Sequence, residues 1–221
     1  MTSNSFNCEA IFFDLDGTMF DTAPELVSSV NRMLDFFGLQ ELSFEVGRNF
    51  IGKGVDNLIN QSLQESGGYM VNLKDAKSYF GKFYSEVVDQ SDPYEGVIEM
   101  LEYLSSKKVR LACVTNKPSG YTNLILKKNK MDSYFEVILC GDQMKFKKPD
   151  PYPINLIQSE LGISKDNILM VGDSSHDIQS ALSAGVKIAT VPYGYQFDDP
   201  IENFKIDFQL NNFFDLKKIF H

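Results

Sequence analysis

Short apolar runs alternate with stretches of helical periodicity along most of this chain, and the one long break in that rhythm comes near its start. Ala10-Ile11-Phe12-Phe13 is apolar at every position and rich in β-favouring residues, which predicts a strand buried on both faces and ended by a turn at Gly17. From Asp21 the apolar positions change to helical spacing. Asp21-Thr22 offers a cap, Pro24 and Glu25 suit a first turn, Leu26, Val30, Met33, Leu34 and Phe37 form one face, and Gly38 stops the helix. Further helices are predicted around residues 55–63 and 73–88, joined by the turns Gly52-Lys53-Gly54 and Gly67-Gly68, with no strand between Asp21 and Gln90. After Pro93 helix and strand alternate. Helices are expected at 96–105, 119–128, 152–161 and 175–184, and strands at 109–114, 135–139, 168–171 and 187–191.

That alternation predicts an α/β fold, a doubly wound parallel sheet covered by helices on both faces, of Rossmann-like type. Its core domain would comprise residues 1–20 and 91–221, interrupted by a small helical domain at residues 21–90. A length of 221 residues with 43% hydrophobic content supports a full core with such an insertion. The formal net charge of -9 argues against a nucleic-acid or anionic-membrane surface and favours a small partner. Three cysteines, with Cys113 and Cys140 in apolar strand-like surroundings, read as reduced structural thiols. Met1 to Glu9 carries no basic cluster or apolar run, and no segment approaches the length of a membrane span, so the expected location is the cytoplasm.

The chemistry is expected where strands end. Asp14 and Asp16 in Asp14-Leu15-Asp16-Gly17-Thr18 follow the first strand two residues apart and project the same way. Two like charges about 4 Å apart repel by roughly 4 kcal/mol at an effective dielectric near 20, so the pair calls for a cation, a shared proton or full solvation. Three other strand ends carry complementary groups. Val114-Thr115-Asn116-Lys117 supplies a hydroxyl and an amide, Lys147-Lys148-Pro149-Asp150-Pro151 an ammonium on a proline-stiffened turn, and Gly172-Asp173-Ser174-Ser175-His176-Asp177 two more carboxylates. Singly, each is an ordinary turn or helix cap. Together, at one edge of one parallel sheet, they form a plausible phosphate and metal site. His176 and the Tyr193-Gly194-Tyr195 loop read as packing residues, His221 as uninformative, and the 18 phenylalanines as core filling in a chain without tryptophan.

This set, in this order, resembles the haloacid dehalogenase superfamily of aspartyl-phosphate phosphohydrolases, and the likeness covers nearly the whole chain. Phe50-Ile51-Gly52-Lys53-Gly54, Lys147 to Pro151, Gly172 to Ile178 and Tyr193-Gly194-Tyr195 are similar to the phosphoglycolate phosphatase group. The resemblance implies that residues 21–90 are a cap and that Asp14 is the nucleophile, ionised at neutral pH without help from a base. It implies Asp16 as general acid and base, and magnesium held by Asp14, Asp173 and the backbone carbonyl of Asp16. Thr115 and Lys148, the lysine directly before Pro149, would hold the phosphoryl oxygens, with Thr18 and Asn116 also binding substrate and Asp177 orienting Lys148 or a metal-bound water. Lys53, or less strongly Arg48, would meet a substrate carboxylate. The expected partner is a small phosphorylated metabolite, foremost 2-phosphoglycolate, acted on by a monomer or homodimer.

Competing readings remain within the resemblance. A dehalogenase has no use for Asp16. The mutases that resemble this group carry a histidine early in the cap, and this chain has none between Thr18 and Gln90. Phosphatases of sugar phosphates, nucleotides or pyrophosphate share the motifs and differ in the cap. A catalytically silent protein binding a phosphorylated ligand or a partner is a more remote alternative.

Overall fold

The computed structural model describes residues 6–195 and 203–219; His221 lies outside them. Six parallel strands form one sheet: β1 (Ala10–Phe13), β2 (Arg110–Val114), β3 (Val137–Leu139), β4 (Ile168–Gly172), β5 (Lys187–Thr190) and β6 (Phe208–Gln209). Their spatial order is β3-β2-β1-β4-β5-β6, which puts β1 in the middle with β2 and β4 as its neighbours. The chain order reverses at β1, and a doubly wound sheet opens its binding crevice at such a point.

Alternate residues of β1 feed two cores, as period 2 requires. Ile11 and Phe13 pack with Leu101, Ile125 and Phe213 on one face, while Ala10 and Phe12 pack with Ile154, Ile157 and Ile178 on the other. The second core is closed by α7 (Tyr152–Leu161) and α8 (Ser175–Ala184), and the first by α5 (Val97–Ser106) and α6 (Ser119–Lys128). All of β1 is buried, in keeping with a strand covered on both sides.

Between β1 and α5 the described chain is helical: α1 (Ala23–Phe36), α2 (Phe44–Arg48), α3 (Val55–Glu65), α4 (Leu73–Ser85) and a 3₁₀ turn at Val88–Gln90. Its apolar faces close against one another through Leu26, Val30, Met33, Leu58, Ile59 and Phe80. The outgoing and returning segments run side by side, with Asp21 donating its backbone N–H to Asp92 at 3.2 Å and Tyr94 to Met19 at 2.9 Å. Among the described residues no helix is long and apolar enough to cross a membrane.

The fold class read from the sequence is borne out, with local differences. Helix α2 is additional: five residues leave no room for a periodic apolar face, and the only sign of it is Ser43, whose hydroxyl accepts the Val46 N–H at 3.3 Å. The helix expected to reach residue 88 ends at Ser85 and continues as the 3₁₀ turn. Strand β3 begins at Val137 because Asp132–Tyr134 is a 3₁₀ turn. The two-residue β6 and the 3₁₀ helix Phe213–Ile219 are also additional.

Candidate active site

The C-terminal ends of β1, β2 and β4, three adjacent strands, carry Asp14, Thr115 and Asp173 to one edge of the sheet. Lys148 joins them from the loop before α7. Its Nζ lies 2.8 Å from Asp14 Oδ1 and 2.6 Å from Asp177 Oδ1, and it donates to the Val114 carbonyl at 2.8 Å. These groups are all buried, Asp177 completely. The neighbouring Lys147 is exposed, so the structure separates the two lysines by position.

Asp173 is held from two sides. Its Oδ1 accepts the Thr18 hydroxyl at 3.1 Å and its Oδ2 accepts the Tyr195 N–H. Two glycines let the chain pass this carboxylate. A Cβ on Gly194 would stand 2.1 Å from Asp173 Cβ, and one on Gly17, whose φ is +80°, would stand 2.4 Å from Asp173 Oδ2. Asp177, in the first turn of α8, accepts through Oδ2 from the backbone N–H groups of Asp173 and Ser174 and from the Ser174 hydroxyl.

Burial pushes the Asp14 carboxyl up to about 7, against the pull of Lys148 and with the push of Asp177. Burial, Asp177 and Asp14 raise Asp173 well above the usual carboxylate range. Asp177 is held below that range: burial is the largest single influence and pushes it up, but Lys148 and the hydrogen bonds from Ser174 together outweigh it. Lys148 in turn stays charged: burial opposes its ammonium, but Asp14 and Asp177 together raise its pKa. One lysine therefore offsets three buried carboxylates. Oxygens of Asp14, Asp173 and Asp177 lie within 4.8 Å of one another, and an all-oxygen cluster with surplus negative charge fits a hard divalent cation. Asp177 already has one oxygen on Lys148 and the other under three donors, which leaves Asp14 and Asp173 with more to offer a metal.

Asp16 sits apart from that cluster. Its Oδ1 is 2.9 Å from Lys117 Nζ and accepts the Thr22 hydroxyl at 2.6 Å. A pocket opens between the two groups of charges. Asp14, Thr115 and Asn116 form its sheet side, with Asp16 and Lys117 beyond, and Leu26, Ile51, Val55 and Leu58 from the helical insertion form an apolar wall. Asn116 fastens the walls together, donating from Nδ2 to the carbonyls of Gly52 (3.1 Å) and Lys148 (2.9 Å) while its Oδ1 accepts the Lys148 N–H at 3.1 Å.

Residues 11–191 match the haloacid dehalogenase-like hydrolase family. The chain belongs to that family. Among curated proteins this haloacid dehalogenase-like hydrolase is 37% identical over 191 residues to the phosphoglycolate phosphatase of Nitrosospira multiformis, covering 85% of this chain and 84% of the relative. It is 33% identical over 211 residues to that of Thiobacillus denitrificans, covering 94% and 93%. A crystal structure described as a predicted phosphoglycolate phosphatase from Haemophilus somnus superposes with a TM-score of 0.93 at 33% identity, covering 97% of this chain and 99% of the other. The resemblance drawn from the strand ends is borne out.

The structure brings Asp14, Asp16, Thr115, Asn116, Lys148, Asp173 and Asp177 to this edge of the hydrolase. Two other expected substrate residues lie close by. Thr18 is fully buried and spends its hydroxyl on Asp173, and Lys53 sits at the pocket's edge, between the lining residues Gly52 and Gly54. Arg48 reaches the Tyr193-Gly194-Tyr195 loop, where Nη2 donates to the Gly194 carbonyl at 2.8 Å. Sequence reasoning missed Lys117 and Tyr195. Lys117 follows Thr115-Asn116 directly, and that adjacency to a strand end was the available signal. Nothing in the sequence says that the Tyr195 hydroxyl would reach the start of α1.

Proposed function

We propose that this protein is a magnesium-dependent phosphomonoesterase that hydrolyses 2-phosphoglycolate through an aspartyl-phosphate intermediate. The observation that carries the mechanism is the buried convergence of Asp14 with Lys148 at 2.8 Å beside Asp173 and Thr115, at the switch point of the sheet. The substrate comes from the relatives' names.

In this reading an Asp14 oxygen attacks phosphorus in line, forming an O–P bond as the bond to the substrate oxygen breaks. Asp16 gives that leaving oxygen its proton. Water then attacks phosphorus, Asp16 takes the water's proton, and inorganic phosphate leaves with Asp14 restored as a carboxylate. Lys148 and the Thr115 hydroxyl hold the phosphoryl oxygens as charge shifts among them. Asp177 keeps Lys148 aimed. A divalent cation on Asp14, Asp173 and the Asp16 carbonyl would cancel the carboxylates' repulsion and draw charge from the phosphoryl group; we assign magnesium to that role.

Residues 21–90 would act as the cap over a core of residues 1–20 and 91–221, keeping bulk water out except for the molecule that attacks the intermediate. The free cysteines Cys8, Cys113 and Cys140 accord with a reducing cytoplasm.

The test is phosphate release from 2-phosphoglycolate, a nucleoside monophosphate, a hexose phosphate and pyrophosphate, with magnesium or with EDTA. A magnesium-dependent preference for 2-phosphoglycolate is expected. Preference for another member of the panel would keep the mechanism and discard the substrate, and silence from folded protein would overturn both.

A further inference from the structure

The charged side chains on the pocket wall are Asp14, Asp16 and Lys117. A substrate with an anionic group beyond its phosphate, bound with that phosphate at Asp14, Thr115 and Lys148, must put the second anion among those side chains and the apolar Leu26, Ile51 and Leu58. Two of the three are carboxylates. Lys117 therefore supplies the countercharge, and the fold presents it for that task. Its backbone N–H donates to the Thr115 hydroxyl oxygen at 3.2 Å, which fixes the lysine a short span from the phosphoryl end. Its ammonium is braced 4.9 Å from the centre of the Tyr84 ring, brought by α4 of the insertion, and is almost wholly buried. A charge-assisted hydrogen bond formed there escapes the solvent screening that weakens a surface pair.

The geometry points to Lys117 as the residue that selects a carboxylated substrate and, in doing so, releases Asp16. In the structure Lys117 holds Asp16 Oδ1 at 2.9 Å. An incoming carboxylate competes for the same ammonium, and a displaced Asp16 is free to turn towards the leaving oxygen it must protonate. A phosphomonoester without a second anionic group leaves Asp16 clamped. Discrimination therefore falls on turnover as well as on binding, a form of specificity in which the right substrate completes the site. The inference rests on the carboxylated-substrate reading above.

The test compares 2-phosphoglycolate with 2-phosphoglycolamide, the analogue whose carboxylate is replaced by a neutral amide, on wild-type enzyme, Lys117→Met, Lys117→Arg and Lys53→Met, with folding of each followed by urea unfolding. Wild type is expected to favour the carboxylate in both kcat and KM by roughly tenfold to a hundredfold, the range of one charge-assisted hydrogen bond in a desolvated site. Lys117→Met should bring that ratio close to one, chiefly by losing the carboxylated substrate, and Lys117→Arg should restore most of it even if the methionine variant is poorly folded. Equal losses on both substrates in Lys117→Met would reduce Lys117 to a support for Asp16 and overturn the proposal. So would collapse of the ratio in Lys53→Met with its retention in Lys117→Met. A wild-type ratio near one, in an enzyme that turns both compounds over, would remove the carboxylated-substrate reading and this proposal together.

Discussion

The Tyr195 hydroxyl accepts the backbone N–H of Thr22 at 2.7 Å and that of Ala23 at 2.8 Å, and donates to Asp21 at 2.7 Å, so a residue 173 positions away caps the first helix of the insertion. The N–H of the same tyrosine holds Asp173. One residue thereby ties a carboxylate of the acidic cluster to the segment where the chain enters the helical insertion. Tyr195→Phe keeps the backbone bond and leaves two buried N–H groups without an acceptor, so it should cost about 1–3 kcal/mol of stability by urea unfolding. Hydrogen exchange should quicken at Thr22 and Ala23. Unchanged exchange there would mean that the hydroxyl is not what secures the helix start.

Asp14 sets function against stability. Its folded pKa, about 7, lies above the ordinary carboxylate value of 3.8, so at pH 8 the ionised group costs the metal-free fold free energy that a neutral side chain does not. Asp14→Asn should abolish phosphate release by at least about three orders of magnitude, because an amide cannot replace the attacking carboxylate. The same variant should melt higher than wild type in EDTA at pH 8. Substantial residual turnover would remove Asp14 as nucleophile, and a lower melting temperature would show that its ion pair with Lys148 outweighs the burial of its charge.

Much of this was legible in the sequence because it depends on local signals. The apolar runs located β1, β2, β4 and β5, and a polar cluster after each of the first three marked the edge where Asp14, Thr115 and Asp173 meet. Lys148 could be preferred over Lys147 because a proline follows it, but its pairing with both Asp14 and Asp177 depends on a loop crossing the sheet edge. What stayed hidden was non-local or too short to be periodic. Strand β6 has two residues, α2 has five, and Lys117 shows its role only once Asp16 and Tyr84 are brought to it from remote positions. The resemblance implies Thr18 as a substrate ligand, and the structure sets its hydroxyl on Asp173 Oδ1 at 3.1 Å.

Magnesium binding should strengthen with pH over a window set by the same carboxylates. A group whose folded pKa is raised gives stability below its unfolded pKa and loses it as pH rises through the folded one, so metal-free protein should weaken between pH 3.8 and about 7 through Asp14, and further upward through Asp173. A divalent cation must displace those protons at low pH and instead relieves repulsion at high pH. The thermal shift produced by millimolar magnesium should therefore be larger at pH 8 than at pH 5.5. An equal shift at both, with other buffer ions held constant, would place the binding away from Asp14 and Asp173.

The Lys148–Asp177 pair is the third term in that balance, and a double-mutant cycle isolates it. Both side chains are buried, 2.6 Å apart, and each holds the other charged. Lys148→Met leaves Asp14 and Asp177 without their cation and should destabilise the fold by about 3–5 kcal/mol, the usual cost of stranding a buried charge. Asp177→Asn removes one partner but keeps Asp14 beside Lys148, and its Oδ1 can still accept, so the loss should be smaller. In the double variant the stranded charge at position 177 is gone. Its loss should fall short of the sum of the two single losses by about 1–3 kcal/mol, the coupling expected for groups in direct contact. Simple additivity in urea unfolding would mean that Asp177 owes its ionised state to Ser174 and the backbone of α8 rather than to Lys148, and its place as the residue that aims Lys148 would go with it.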